Sequence, residues 1–463
     1  MKKPSVVTAP AAGDLARAVE RALEPLVKAG ERLCMGLSGG VDSIVLLDTL
    51  CKLAPRQQWR LSAIHVNHQL SPNASAWAAF CRRACRARGV PLRVVKVEVA
   101  RGGRGNSSEA AARAARYDVY RSCRAEHVVL AHNQDDQAET VLLRLMRGAG
   151  VKGLAGMAPA RKEGGLQLVR PLLDVPRSAI EGYAKRHKLA WVEDESNADT
   201  AFLRNFLRRE VLPRIEARVP GYRGTLSRAA THLAEAAELL NEMALFDAQD
   251  IMRNGALTLD GLLRLSAARA RNLLRYFLAG KEIAMPDKRA LDEALRQALS
   301  AKQDARVRID FGNHTLYRFE GALHLVPRPD ALVPGFPVSW NGERSLRIAA
   351  LGATLKMARS RGGGIDLARL REAPVTLRPR QGGERLRPDA ARPRRRVKDL
   401  FQEQGVPPWQ RDRVPFLWSG ERLVWVAGLG VDCAFRARDG APGVTPLWME
   451  RRRTERAAVG RKA

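Results

Sequence analysis

The sequence predicts a multidomain α/β protein: a parallel-sheet domain, then a mainly helical domain, then a small α+β domain at the C-terminal end. Strand-like and helix-like patterns alternate over residues 31–200, which is typical of a parallel sheet with helices on both faces. From about residue 202 the pattern becomes helical, and short strands with turns follow after residue 305. The 463 residues are too many for one hydrophobic core, so several domains are expected.

Five apolar segments of the first region predict strands. They cover residues 33–37, 60–68, 91–99, 127–132 and 166–172. Because ligands of parallel α/β sheets bind at the carboxyl ends of the strands, the residues that follow these segments are the first candidates for a functional site.

The later region predicts a long amphipathic helix over residues 225–246, since apolar residues recur there every three or four positions. A stretch rich in Pro and Gly predicts a linker between domains. The expected organisation is a flexible N-terminus (1–25), a catalytic domain (26–219), a mainly helical domain (220–330), a linker (331–345), a C-terminal domain (346–450) and a basic tail (451–463).

The composition favours a polyanionic partner. The chain holds 79 Lys and Arg against 49 Asp and Glu, a formal charge of +30. Nucleic acid is the leading candidate, and a general arginine bias of the proteome is the alternative. The six cysteines form no C-x-x-C pair, and no apolar run reaches the ~20 residues of a membrane helix, so we expect a cytoplasmic protein with reduced thiols and no membrane partner.

The segment Ser38-Gly39-Gly40-Val41-Asp42-Ser43 stands between the first strand and a helix. A glycine turn at a helix N-terminus exposes backbone N–H groups that bind anions, and the serine hydroxyls can donate to phosphate oxygens. Asp42 would repel phosphate unless a cation bridged the two, which implies Mg²⁺. The alternative is a structural turn with Asp42 as the helix N-cap.

A second constellation lies in the segment AHNQDDQAET, residues 131–140. At roughly 100° per residue, Asp135, Asp136 and Glu139 fall within about 60° of His132 on one helical face. Such carboxylates can hold an ammonium group or a metal ion, or accept a proton. A solvated helix face is the alternative.

Two further segments are rich in arginine. Arg113, Arg116 and Tyr117 recur at helical spacing and could neutralise phosphate charge, although an ion pair between Glu109 and Arg113 explains the spacing equally well. Arg204, Asn205, Arg208 and Arg209 form a basic stretch near residue 205, which alone could be a solvated face. His65 is expected to pack in the sheet, and His68 to line the site.

The motif S-G-G-x-D-S resembles that of the PP-loop ATP pyrophosphatase superfamily. Together with HVNHQL, EAAARAARY, AHNQDDQAET, EDESNADTAFLRNFLR and RRRVKDLFQEQGVPPW, it resembles the motif series of the tRNA(Ile)-lysidine synthetase family over residues 30–440. The resemblance implies an adenine nucleotide α-hydrolase-like fold and an ATP-dependent ligase. In that family ATP adenylates the wobble cytidine of the CAU anticodon of tRNA-Ile, and L-lysine then displaces AMP to give lysidine.

The resemblance also implies residue roles. Ser38 to Ser43 would hold the ATP phosphates, with Asp42 at Mg²⁺, and the backbone at Ala63 and Val66 would receive adenine. Asp136 and Glu139 would bind lysine beside Asp135, while Arg113 and His132 would align the base or a phosphate. Candidate tRNA contacts are Arg116, Arg204, Asn205, Arg208, Arg394, Arg395 and Arg396.

Other interpretations stay open from the sequence. A tRNA thiolase would share the ATP chemistry, but such enzymes commonly use cysteine pairs that are absent here. A glutamine-dependent ligase would need an amidotransferase partner, and a catalytically inactive RNA-binding protein would not need Asp42, Asp136 and Glu139. The sequence leaves the oligomeric state undecided, with a homodimer as one assembly to test.

Overall fold

The computed structural model describes residues 12–98, 106–163, 165–195, 199–200, 202–281, 283–301, 307–328, 337–349 and 352–450. The chain divides into two compact units, residues 1–241 and 242–463. The basic tail predicted over 451–463 lies outside the described residues. Among the described helices, none is both long enough and apolar enough to cross a membrane.

A six-stranded sheet forms the centre of the first unit, in the order β3-β2-β1-β4-β6-β5. Its first four strands in this order and β6 run parallel, while β5 pairs antiparallel with β6 and was not predicted. The α/β prediction is therefore confirmed, with one added edge strand. The strands are β1 (Arg32–Gly36), β2 (Arg60–Asn67), β3 (Leu92–Lys96), β4 (His127–Val129), β5 (Ala160–Glu163) and β6 (Leu166–Val169).

Helices follow the strands, as the alternating pattern predicts. A π-helical turn over Leu207–Val211 joins two of them. The helices that lie in or begin in this unit are α1 (Ala12–Leu23), α2 (Val41–Gln57), α3 (Ala74–Arg86), α4 (Asn106–Arg121), α5 (Gln134–Met146), α6 (Val151–Leu154), α7 (Arg177–Arg186), α8 (Leu203–Phe206), α9 (Leu212–Arg218) and α10 (Tyr222–Ile251).

The N-terminal segment differs from the expectation of a flexible region over 1–25. Leu15, Val19 and Leu23 recur every four residues, and α1 buries all three in the same core as β1 and α2. Apolar burial at helical spacing is the physical reason for order here. Residues 1–11 lie outside the described part of the chain.

The second unit contains short helices and antiparallel sheets. The long helix predicted over 225–246 is α10, which extends from the first unit into the second. The further helices are α11 (Leu259–Leu263), α12 (Ala267–Ala279), α13 (Lys288–Ser300), α14 (Leu367–Leu370), α15 (Val397–Glu403) and α16 (Pro408–Arg411).

Five strands accompany the helical part of this unit and form one sheet, β7-β8-β11-β10-β9. They are β7 (Met252–Arg253), β8 (Ala256–Thr258), β9 (Arg308–Phe311), β10 (His314–Phe319) and β11 (Ala322–Pro327).

The C-terminal strands form three antiparallel sheets, of which the five-stranded and the four-stranded share one core, while Leu386 of the two-stranded sheet lies in a second core. The strands are β12 (Val338–Ser339), β13 (Ser345–Ile348), β14 (Ala353–Arg361), β15 (Ile365–Asp366), β16 (Val375–Arg378), β17 (Arg385–Leu386), β18 (Arg395–Arg396), β19 (Phe416–Ser419), β20 (Arg422–Val426), β21 (Gly430–Val431) and β22 (Pro442–Glu450). The strand β12 lies within the predicted linker.

Candidate active site

The glycine turn between β1 and α2 is held by its own serine residues. Ser43 Oγ accepts a hydrogen bond from the Gly39 N–H at 3.0 Å and donates to the Gly40 carbonyl at 2.9 Å. Gly39 has φ +94°, and a Cβ there would lie 2.9 Å from Val192 Cγ2, so only glycine fits this position. Gly40 is the N-cap of α2, which makes the capping role considered for Asp42 wrong.

Asp42 is tied to the start of α5 by one hydrogen bond. Asn133 Nδ2 donates to Asp42 Oδ1 at 2.9 Å. Burial raises the pKa of Asp42 to about 6, and nearby Asp136 adds to the rise, while Arg177 and the Asn133 amide oppose it. A carboxylate with this raised pKa would be stabilised in its ionised form by a cation.

Asn133 also caps α5 and orients Asp136. The side-chain oxygen of Asn133 accepts a hydrogen bond from the backbone N–H of Asp136 at 3.0 Å, and the backbone N–H of Asn133 donates to Asp136 Oδ2 at 3.1 Å. Asn133 is 1% exposed. Sequence reasoning missed this residue, although an Asn followed three positions later by an acid before a helix is a capping-box signal. The expectation of one helical stripe from His132 is wrong in part, because His132 precedes the helix.

Asp136 and Glu139 share two arginines. Arg204 donates from Nε to Glu139 at 2.7 Å and from Nη2 to Asp136 at 2.9 Å. Arg208 donates from Nε to Glu139 at 2.6 Å, and its Nη2 lies 3.0 Å from Glu139 and 3.3 Å from Asp136. Glu139 is 1% exposed. The two carboxylates thus form a compact site that binds cationic groups.

Asp135 contacts a different pair of arginines. Its carboxylate accepts from the Arg177 N–H at 2.9 Å and from Arg223. A cavity of about 280 Å³ lies here, with both acidic and basic walls. It is lined by Asp135, Glu139, Arg177, Arg208, Arg209, Leu212, Pro213, Tyr222 and Arg223.

His132 follows β4 and lies among arginines. Burial lowers the pKa of His132 well below its usual range, and the positive charges of Arg170, Arg204, Arg113 and Arg116 add to this effect. Its Nδ1 is buried and has no hydrogen-bond partner within the described residues. His132 is therefore a neutral imidazole with an unused polar atom.

Arg113 and Arg116 are exposed on α4. Arg113 donates to the Tyr117 hydroxyl at 3.2 Å, and Arg116 donates to His68 Nε2 at 3.4 Å. The side chain of Glu109 lies outside the described residues, so the pairing considered for Arg113 stays open. His68 directly follows the end of β2, and its expected place in the lining of the site stays a prediction.

The two predicted adenine contacts lie on β2, which pairs with β1. Ala63 is buried and pairs with Met35, and Val66 lies three residues further along β2. His65 is buried between them and donates from Nδ1 to the Leu37 carbonyl at 2.8 Å, which confirms its structural role. The adenine contacts stay predictions.

Three of the remaining predicted tRNA contacts have partners within the protein. Asn205 donates to the Asp199 carbonyl at 2.8 Å. In the second unit, Arg394 pairs with buried Asp432 at 3.0 Å and Arg395 pairs with Glu403 at 2.6 Å. Arg396 is exposed beside them. Their role in tRNA binding stays a prediction.

Comparisons with known proteins identify the family. The family model of the PP-loop domain matches residues 12–215, that of the TilS substrate binding domain matches 257–324, and that of the TilS substrate C-terminal domain matches 375–448.

Curated relatives match almost the whole chain. A tRNA(Ile)-lysidine synthase of Nitrosomonas europaea is 44% identical over 92% of this chain and 93% of its own length. Enzymes of the same name from Azoarcus sp. and Chromobacterium violaceum are 42% and 44% identical, over 90% and 89% of this chain and 92% and 94% of their own lengths. The chain belongs to the tRNA(Ile)-lysidine synthase family of ATP-dependent ligases.

Proposed function

We propose that this protein ligates L-lysine to C2 of the wobble cytidine in the CAU anticodon of tRNA-Ile. ATP transfers its adenylyl group to O2 of the cytidine, and pyrophosphate leaves. The ε-amine of lysine then attacks C2, a C–N bond forms, and AMP departs with the former O2. The modified anticodon recognises AUA in place of AUG.

One observation supports this proposal above others. Hydrogen bonds through Asn133 connect Asp42, at the glycine turn, to Asp136 on the helix that also carries Glu139. A phosphate-binding turn and a cation-binding pair of carboxylates therefore lie next to each other. This juxtaposition suits a reaction that joins an ATP-activated group to an amine.

The individual roles follow the same geometry. Ser38 to Ser43 bind the phosphates of ATP through backbone N–H groups and hydroxyls. Asp136 and Glu139 bind the lysine ammonium, and one of them accepts its proton, since an amine must be neutral to attack. The neutral imidazole of His132 and the guanidinium of Arg113 align the base.

Asp42 would hold Mg²⁺ together with the phosphates. Proteins usually bind this ion through one or two carboxylates and substrate phosphates, and a half-buried carboxylate beside the glycine turn fits that donor set. The ion would neutralise phosphate charge. Within the described residues, no cluster of three His, Cys, Asp or Glu side chains offers an alternative metal site.

We expect tRNA affinity to arise mainly from phosphate contacts, because the anticodon base already lies in a single-stranded loop. The formal charge of +30 supplies the cations for such contacts. Binding should therefore weaken steeply as salt is raised, and a tRNA affinity independent of salt would contradict this expectation. Because the proposed reaction modifies tRNA, we propose that the protein acts in the cytoplasm.

A homodimer is the assembly that we propose for testing. Leu239, Met243 and Phe246 lie at helical spacing on α10 and are 65%, 44% and 61% exposed. Exposed apolar faces of this kind commonly form interfaces. Analytical ultracentrifugation of the wild type and of Phe246→Glu tests it: a monomeric wild type contradicts the proposal.

Two coupled assays test the reaction. ATP–pyrophosphate exchange that requires unmodified tRNA-Ile, followed by incorporation of labelled lysine, is expected for the wild type. Asp136→Asn should abolish lysidine formation while the circular dichroism spectrum is unchanged. Incorporation of sulfur would support a tRNA thiolase, and tRNA binding without pyrophosphate exchange would support an inactive binding protein. Full activity of Asp136→Asn would refute the role proposed for Asp136.

A further inference from the structure

Three arginines of the first unit contact one tyrosine, and a fourth arginine lies near them. The guanidinium groups of Arg113 and Arg161 lie 5.2 and 5.6 Å from the centre of the Tyr117 ring. Arg113 and Arg170 both donate to the Tyr117 hydroxyl, at 3.2 and 3.3 Å. Arg144 lies close enough that Arg113, Arg161 and Arg170 add to burial in lowering the pKa of its guanidinium. We call these four residues the Tyr117 arginine cluster.

The described carboxylates neutralise little of the charge of this cluster. Arg161 pairs with Glu163, but among the described side chains no carboxylate forms an ion pair with Arg113, Arg144 or Arg170. Like charges at short range repel each other, and burial of a charge without an opposite charge is costly. An arrangement of this kind is stabilised when an anion binds.

Neutral groups fix the more buried members in place. Arg170 is 4% exposed and donates to the Ala158 carbonyl at 2.7 Å, while its buried Nε has no partner within the described residues. Arg144 donates to the carbonyls of Gly153 and Gly156 at 2.7 and 2.6 Å. These bonds hold the guanidinium groups without cancelling their charge. The cluster is therefore a preorganised site for an anion with several acceptor oxygens.

The topology separates this cluster from the glycine turn. In the sheet, β4 and β6 follow β1, and β5 follows β6. Arg170 directly follows β6, and Arg161 lies at the same edge because Ala160 pairs with Val169. At about 4.8 Å per strand, these ends lie roughly 10–14 Å from the end of β1. His132, at the end of β4, lies between the two anion-binding regions.

We propose that the Tyr117 arginine cluster is a second phosphate-binding site, which holds a backbone phosphate of the RNA next to the nucleotide that is modified. The inference rests on the proposed function. The glycine turn already supplies donors for the ATP phosphates, so the cluster is left for the polyanionic substrate. A phosphate held there fixes the RNA backbone while the base reaches His132.

Arg161→Gln is the variant that tests this site, because Arg161 is exposed and its loss leaves the buried members in place. The matched control is Arg86→Gln, an exposed arginine on α3 of the same unit. Full-length protein is titrated with a tRNA-Ile transcript carrying CAU, at several salt concentrations. We expect Arg161→Gln to raise the Kd about five- to tenfold and to lower the slope of log Kd against log salt by about 1. The control should change neither quantity.

A tRNA assembled from ligated fragments then carries one uncharged methylphosphonate, 5′ or 3′ of the wobble cytidine. At one of these two positions, the methylphosphonate should weaken tRNA binding to the wild-type protein about as much as Arg161→Gln weakens binding of the unmodified tRNA. The two changes together should add little, because they remove the same contact. Full additivity at both positions would overturn the proposal, and so would wild-type binding that neither methylphosphonate weakens; the second result does not depend on how a variant folds.

The KM for ATP identifies the source of the phosphate. It should stay unchanged in Arg161→Gln; a higher KM for ATP with unchanged tRNA affinity would assign the cluster to the nucleotide and overturn the proposal. A wild type that binds tRNA-Ile but forms no lysidine refutes the proposed function. A wild type that forms lysidine while Arg161→Gln binds tRNA normally refutes the second phosphate site alone.

Discussion

Lysine must compete with the protein's own arginines for the carboxylates proposed to bind it. Arg208 makes three contacts with Asp136 and Glu139, at 2.6, 3.0 and 3.3 Å. When Arg208→Gln removes this cation, the two carboxylates retain Arg204 but regain capacity for an ammonium group. We therefore expect the KM for L-lysine to fall.

The size of the effect follows from exposure. The side chain of Arg208 is 30% exposed and that of Glu139 only 1%, so the pair lies between a surface ion pair and a buried one. An interaction of this kind is worth about 1–2 kcal/mol. If lysine regains most of that free energy, its KM falls about 5- to 30-fold.

The assay is the steady-state rate of lysidine formation against lysine concentration, at saturating ATP and tRNA. Arg214→Gln, which alters an exposed arginine on α9, is the matched control and should leave the KM for lysine unchanged. Affinity for tRNA is measured separately, since Arg208 is also a predicted tRNA contact. An unchanged or higher KM for lysine in Arg208→Gln would show that Arg208 does not compete with the substrate.

Three further predictions concern the glycine turn and its connection to α5. Gly39→Ala should abolish ATP binding and destabilise the protein by about 1–2 kcal/mol, because φ is +94° and the new Cβ would contact Val192. In the control Gly40→Ala the nearest atom to the new Cβ lies at 3.6 Å, so this variant should retain the fold. The pKa of Asp42 is raised to about 6, so the contribution of this group to folding stability is complete below pH 3.8 and is lost as pH rises through 6. In urea denaturation with EDTA present, Asp42→Asn should be more stable than the wild type by about 1–3 kcal/mol at pH 7.5, and the two proteins should be equally stable below pH 4. Asn133→Ser retains a capping oxygen but removes the amide donor to Asp42, so it should raise the Mg²⁺ concentration needed for activity with little change in the urea midpoint. Asn133→Ala removes the capping oxygen as well and should also lose about 1 kcal/mol of stability.

The fold of the first unit was largely predictable because its strands are short apolar runs with clear ends. The predicted segments 60–68 and 127–132 correspond to β2 and β4. The strand β5, of sequence Ala-Arg-Lys-Glu, was not predictable from hydrophobicity, since it lies at the edge of the sheet and exposes two of its three charged side chains. Its pairing depends on β6, which is a tertiary contact.

The candidate site was predicted in its residue types but not in its pairing. Strand ends pointed to His132 and the glycine turn, but not to Arg170, because the predicted segment 166–172 continued past Val169, where β6 ends. The pairing of Arg204 and Arg208 with Glu139 joins residues about 65 positions apart. Periodicity along one helix contains no information on such contacts, so the sequence alone left these arginines as general tRNA candidates.

Charge balance explains why the acids and arginines of this site belong together. The carboxylate of Asp136 lies close enough to Asp42 to raise the pKa of Asp42, and Arg177 opposes that effect. Arg208 forms direct ion pairs with Asp136 and with the buried Glu139. A cationic substrate that enters the site can therefore replace an arginine without leaving a buried charge unpaired, whereas a neutral analogue of lysine cannot. Selection for a positively charged amino acid follows from this exchange, and norleucine, which has the same chain without the amine, should neither act as a substrate nor inhibit lysine incorporation.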